Sequence, residues 1–297
     1  MVLPSIILIA IFVYGFIAWT ATVSLSKWDG VEPNYGWAGL ENFRHLFTKA
    51  GGVAAQRFTI DMWNTLFFTL FFLLVCVAVG LLLAILLDQR IKGEGIFRTI
   101  YLFPMALSFV VTGVVWQWIF APGTAQRLRG VNALLSAVHL GMLRWGWYTD
   151  IRSIGPFHLA LIPVIIAAAW QMTGYTMAMY LAGLRGIPEE LREAARMDGA
   201  SEIGIYRHIV LPMLAPITLS ALIILGHISL KIFDLVYTMT GKGTGFVTDV
   251  PGIFMFETTF QGNHYSQGAA ISIVMLLMVA LVIVPYLIYS LRREVEL

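Results

Sequence analysis

A chain of 297 residues that is 59% hydrophobic and 12% charged, with a mean hydropathy of +0.80, is not a soluble globular protein, since such domains carry about a quarter of their residues as charges. A net charge of +2 without any basic block excludes nucleic acid as a partner. The single cysteine, Cys76, excludes a disulfide framework and a cysteine metal cluster.

A helix needs about 20 apolar residues to cross a bilayer, because hydrocarbon offers the backbone no other hydrogen-bond partner. Six stretches meet that test: Leu3–Leu25, Met62–Leu87, Thr99–Phe120, Pro156–Leu184, Leu211–Leu230 and Gln267–Leu291. The expected fold is therefore an all-α polytopic membrane protein of about six spans. The first stretch is too long for a signal-peptide core and lacks a basic segment ahead of it, so it reads as a retained helix. Residues 1–61 then form a first helix with an external loop, and 62–297 a five-helix transmembrane domain containing a loop at 185–212.

Six spans put both ends on one side. The segments Asp88–Arg98, Arg185–Pro212 and Arg292–Leu297 hold nine of the nineteen Lys and Arg residues in far fewer positions than the opposite loops. That density assigns them, and both termini, to the cytoplasm. The outside loop Ser26–Asp61 is polar with scattered aromatics. The next, Ala121–Gly155, has four arginines and the run Trp145, Trp147 and Tyr148. Such a run suits either a headgroup anchor or a docking surface for an external partner. Pro104, Pro163, Pro216 and Pro285 fall inside spans, where bends are expected.

The loop 185–212 is the most informative segment. Pro188 suits a first helical turn, and Glu189, Glu190 and Glu193 suit its positive end. Gly199 suits a C-terminal stop, and Ser201 can cap a second short helix. Ile187, Leu191, Ala194 and Ala195 share one side of this helix, with Arg192, Glu193 and Arg196 projecting from the other. The pattern alone fits an interfacial helix on lipid as well as a docking helix.

The residues also match a known pattern. Glu193-Ala194-Ala195, then three residues, Gly199, nine residues, Ile209, one residue and Leu211-Pro212 resemble the EAA motif of ABC importer permeases. Gly39 to Phe43, Asn64-Thr65, Phe97 to Thr99, Phe103-Pro104, Trp116 to Trp118, Phe233-Asp234, Thr240-Gly241, Gly268 to Ala270 and Ser272 are similar to the carbohydrate-uptake group, in the subunit like the larger maltose permease. The extra helices and large external domain of that relative are absent. The resemblance implies a coupling helix seated in an ATPase subunit, with Leu191, Glu193, Ala194, Ala195, Arg196, Asp198 and Gly199 as the coupling residues. It further implies a second homologous permease subunit, two ATP-binding-cassette ATPase subunits, a periplasmic or lipid-anchored solute-binding protein, a sugar substrate and a bacterial inner-membrane location.

The chain itself has no nucleotide motif. In the only candidate, Gly241-Lys242-Gly243, glycine follows the lysine and position 236 is valine, so a phosphate-cradling loop is not formed. ATP and Mg would be bound by the partner ATPase, and this chain is expected to hold no cofactor, metal or catalytic residue.

Two polar stripes are candidates for a solute path. Continued as one helix, the fifth span puts Ser220, His227, Lys231, Asp234 and Thr238 within about 60° of one another; ordinary helix packing with a Lys231–Asp234 pair is the other reading. The fourth span lines up Trp170, Thr173, Met177 and Tyr180 within about 80°, suited to sugar rings or to packing. Asn263, at the start of the sixth span, is a further candidate. An ion-coupled transporter would be expected to bury carboxylates at the midplane, and a membrane enzyme to show an acid–base motif; neither appears. Within the resembling family, glycerol-3-phosphate is a rival to a sugar.

Overall fold

A computed structural model describes residues 3–89, 91–124 and 126–295, with side chains as far as residue 288. Arg90 and the end of Arg292–Leu297, among the segments assigned to the cytoplasm, lie outside those residues. In chain order the helices are α1 Leu3–Ser24, α2 Glu41–Phe47, α3 Val53–Asp88, α4 Glu94–Leu102, α5 Phe109–Ile119, α6 Gly130–Ala137, α7 Leu159–Arg185, α8 Glu189–Met197, α9 Glu202–Met213, α10 Ala215–Leu230, α11 Asp234–Met239, α12 Pro251–Phe256 and α13 Tyr265–Val295. A two-stranded hairpin, β1 Ser153–Ile154 with β2 Phe157–His158, precedes α7.

Among the described residues four helices are long and apolar enough to cross a membrane, or up to six if each of two bent pairs is one span. The expected third span is one such pair: Glu94–Ala106 meets Phe109–Ile119 at 101°. Pro104 sits in the 3-10 turn at Phe103–Ala106, Leu107 turns extended, and Ser108 caps α5 by accepting from the Val111 amide. The Leu107 carbonyl freed by this break accepts a hydrogen bond from Gln171 at 2.7 Å, which is how a broken helix avoids an orphaned polar group in an apolar setting. The fifth span is also bent, by 61°, between α9 and α10. Bends therefore form at Pro104 and beside Pro216, while Pro163 follows the 3-10 turn Leu159–Leu161 that opens α7, and α13 runs unbroken past Pro285. The fourth span starts at Leu159 rather than Pro156, because Gly155, at φ +60°, and Pro156 make the two-residue turn of the hairpin.

The chain divides into two compact units. The first comprises residues 1–66, 148–161 and 230–297. There α1 and α2 pack on α13, over a core that includes Leu46, Phe58, Phe254 and Ile271. Asn42 stitches the loop after α1 by donating to the Ser24 and Ser26 carbonyls. The second unit comprises residues 67–147 and 162–229. Most of α7 is buried in it, and Gly174 lets α4 approach so closely that a Cβ would lie 1.8 Å from the Tyr101 carbonyl oxygen. Only 6% of the apolar window of α1 is buried within the chain, so that surface is left for lipid or a partner.

Candidate functional site

In the second unit, the loop after α7 follows its sequence signals except at its start. Pro188, expected in the first turn, stands just ahead of α8 as the N-cap residue, and Glu189 and Glu190 occupy the first turn, where the helix dipole favours them. At the other end Gly199 adopts φ +81°, its amide bonds to the Arg196 carbonyl, and the Ala200 amide reaches back to Ala195. That pairing closes a glycine-terminated helix. Ser201 then caps α9 through the Gly204 amide at 3.2 Å. Arg196 spans the turn, with Glu202 at 2.8 Å and Glu189 at 3.4 Å, but these exposed pairs contribute little.

The faces of α8 are not those expected. Arg192 turns inward: it makes an ion pair with Asp88, at the end of α3, at 3.0 Å and donates to the Leu184 carbonyl at 3.1 Å. Its side chain is 11% exposed and that of Asp88 13%. Ala195 and Ile187 join Leu87, Leu184, Ile205, Val210 and Leu214 in a core that seats the loop on the helix ends. Leu191 is 44% exposed, Met197 88%, and Ala194 and Asp198 are also exposed. The cause is local. Ile187 precedes the helix, so the 100° rule does not place it, and the buried meridian runs between Arg192 and Ala195. Leu191, Ala194, Met197 and Asp198, with Glu193 beside them, are left uncovered.

A cleft of about 1250 Å³ lies beside α8, lined among others by Asp88, Glu94, Arg185, Arg192, Glu202 and Tyr206. Glu94 pairs with both Arg98 and Arg185 there.

The polar stripe of the fifth span is not continuous. The helix ends at Leu230, Lys231 falls in the break, and Asp234 opens α11. Helical arithmetic across 231–233 therefore fails. Ser220 and His227 lie in the second unit, and Lys231, Asp234 and Thr238 in the first. Ser220 spends its hydroxyl on the Pro216 carbonyl and Thr238 on that of Asp234. Lys231 and Asp234 are both exposed and form no ion pair among the described residues. On α7, Thr173, Met177 and Tyr180 are buried, with the Tyr180 hydroxyl on Thr218 at 2.9 Å, while Trp170 is half-exposed against Trp116. Asn263 takes a left-handed turn conformation, and its carbonyl holds the Gly30 amide. Of the outer aromatic run, Trp145 and Trp147 fold around the buried Asn132. Lys242 pairs with Glu257 across a glycine turn.

Sequence reasoning put Arg192 on the wrong face and missed the bonds of Asp88, Gln171 and Asn132. The signal available was a polar residue flanking an apolar run, which names a residue worth explaining but not its partner.

These features define a polytopic helical membrane protein with a capped amphipathic helix between its fourth and fifth spans. The chain belongs to the family described as binding-protein-dependent transport system inner membrane component, matched over residues 76–295. A probable ABC transporter permease protein of Pyrococcus horikoshii is 40% identical over 98% of this chain and 94% of its own length. The xylose/arabinose import permease protein XacH of Haloferax volcanii is 34% identical over 97% of this chain and 86% of its own. A solved bacterial ABC transporter involved in import of the acidic polysaccharide alginate shares the fold, with a TM-score of 0.75 at 24% identity over 95% of this chain and 92% of that one. The expected kinship with ABC importer permeases is upheld, and the protein is a transport permease subunit.

Proposed function

We propose that this chain forms half of the translocation path of an ATP-driven, binding-protein-dependent sugar importer. The uncovered face of α8 carries the proposal: a helix anchored by Arg192 and Ala195 still presents Leu191, Ala194, Met197 and Asp198 for a partner. That partner is an ATP-binding-cassette ATPase on the cytoplasmic side, which binds ATP and Mg. Two such ATPases, a second permease and an external solute-binding protein complete the assembly, with both termini of this chain cytoplasmic in the inner membrane. The import of xylose and arabinose named for a relative supports a sugar as the solute. ATP-driven closure of the ATPases draws the coupling helices together, and differential affinity of the two conformations for solute and nucleotide gives alternating access.

The purified chain alone hydrolyses no ATP, and co-expression with its second permease and ATPase yields a four-subunit complex that does. ATPase activity intrinsic to this polypeptide would overturn the proposal.

The solute path is tested by labelling, after replacing the buried Cys76. Cysteines at Ser220, His227 and Thr238 react with a small polar thiol reagent, and their labelling changes when ATP is trapped. One at Ile228 stays protected. Uniform protection at the three positions returns them to helix packing.

A further inference from the structure

A buried charge network in the first unit has no place in the coupling scheme. On the first turns of α3, Arg57 sits within hydrogen-bonding distance of two acids: its Nε donates to Asp249 at 2.5 Å, and its Nη2 lies 2.8 Å from Glu257. Its guanidinium stacks over Phe254 and Phe246 at 4.4 and 4.9 Å. Lys242 reaches the same Glu257 oxygen at 3.1 Å. Two turns further along, Asn64 donates to the carbonyls of Phe246 and Asp249. Those bonds orient the amide so that its oxygen accepts from His158 Nδ1 at 2.8 Å. Burial holds His158 below its usual range, and hence neutral.

Between Arg57 and Asn64 lies Asp61, which is 0% exposed. It shares one face of α3 with Arg57 and Asn64, both of which bind Asp249, so its carboxyl is set against that residue, and neither of its oxygens accepts a hydrogen bond among the described residues. The network thus sets two cations, Arg57 and Lys242, against three carboxylates, Asp61, Asp249 and Glu257. Both cations are committed to Asp249 and Glu257. An ionised Asp61 would be a buried charge without a partner, which proteins avoid by neutralisation. Two facing carboxylates also have no donor between them until one holds a proton.

We propose that Asp61 and Asp249 form a proton-binding site, in which one shared proton clasps α3 to the segment 242–257. The bound proton makes the network neutral and supplies the missing donor. Burial pushes the Asp249 carboxyl up in spite of the Arg57 guanidinium, whereas Glu257, which burial alone would raise, is held low by its bonds to Lys242 and Arg57. The excess proton therefore belongs to the Asp61–Asp249 pair. A metal ion is disfavoured because no three acidic, histidine or cysteine side chains converge to hold one among the described residues.

A carboxyl whose affinity for a proton rises on folding stabilises the fold at low pH, and that stability is lost as pH rises through the raised value. The full chain in lipid nanodiscs tests this by thermal unfolding from pH 5 to pH 9. The wild-type midpoint falls by about 5 °C more than that of D61N, whose amide is a neutral donor at every pH. Equal pH slopes in the two proteins overturn the proposal. Infrared spectra of the wild type at pH 7 show a protonated-carboxyl stretch that D61N and D249N lack; absence of that band in the wild type overturns it even where neither variant folds. Recovery of the alkaline midpoint by sodium chloride but not by equal potassium chloride identifies a bound cation instead, and equally overturns it.

Discussion

Gly199→Val abolishes uptake while Gly199→Asn retains most of it, with both variants inserted in the membrane to wild-type levels. A Cβ at this position meets nothing within 4 Å, so the defect is not a collision. It is the backbone, held at φ +81°, where an L-residue costs about 1–2 kcal/mol and a β-branched one more. Asparagine tolerates that conformation, so the pair of variants separates backbone strain from side-chain bulk. The strained variant relaxes by opening the turn, which releases the Ala200–Ala195 hydrogen bond and swings the uncovered face of α8 relative to the Ser201 cap. Each 1.4 kcal/mol of lost docking energy is about tenfold in partner affinity. Glu193→Lys reaches the same end by charge alone: Glu193 is exposed, so its reversal alters docking and leaves the fold intact. Radiolabelled sugar uptake in membrane vesicles, beside a quantified complex, decides the matter. Wild-type uptake in both Gly199→Val and Glu193→Lys would remove the coupling role of this loop.

Arg192→Met lowers sugar imported per ATP hydrolysed by about tenfold, because α8, the helix proposed to receive the ATPase movement, is no longer tied to the end of α3. The substitution keeps the length of the side chain but leaves Asp88 and the Leu184 carbonyl without their donor. Removing one partner of a buried pair costs about 3–5 kcal/mol. The pair borders an open cleft, which reduces that figure to about 2 kcal/mol through solvent screening. Arg192→Lys recovers only part of the coupling, since one ammonium does not reproduce the forked contact with both oxygens. Adding Asp88→Asn to Arg192→Met restores part of the ratio by removing the stranded charge, and the double-mutant cycle measures their interaction. ATPase activity persists throughout, so the ratio rather than either rate is the readout. An unchanged ratio in Arg192→Met would reduce the pair to an incidental contact.

The sequence by itself determined the class of this protein. Runs of about 20 apolar residues have one solution in a bilayer, and four of the six reappear as long helices while the other two fall on bent pairs. The end of α8 and the start of α9 were equally legible, because a cap is a local event: the bonds at Gly199, Ala200 and Ser201 reach residues three to five positions away. The motif around Glu193 to Pro212 pointed to the family that the matches establish.

What only the tertiary structure decided lies beyond the reach of a helical period. Angles of 100° per residue hold while a helix continues, so they misplaced Ile187, ahead of α8, and failed across the break at Lys231. Arg192 was put on the outer face because nothing within the loop shows that Asp88, 104 residues earlier, ends at its side. The Arg57–Asp249 contact joins residues 192 apart, and the crowding of Asp61 against Asp249 follows from that contact. Charge is a property of a residue, but whether it is paired, stranded or neutralised by a proton depends on which distant segment the fold brings against it.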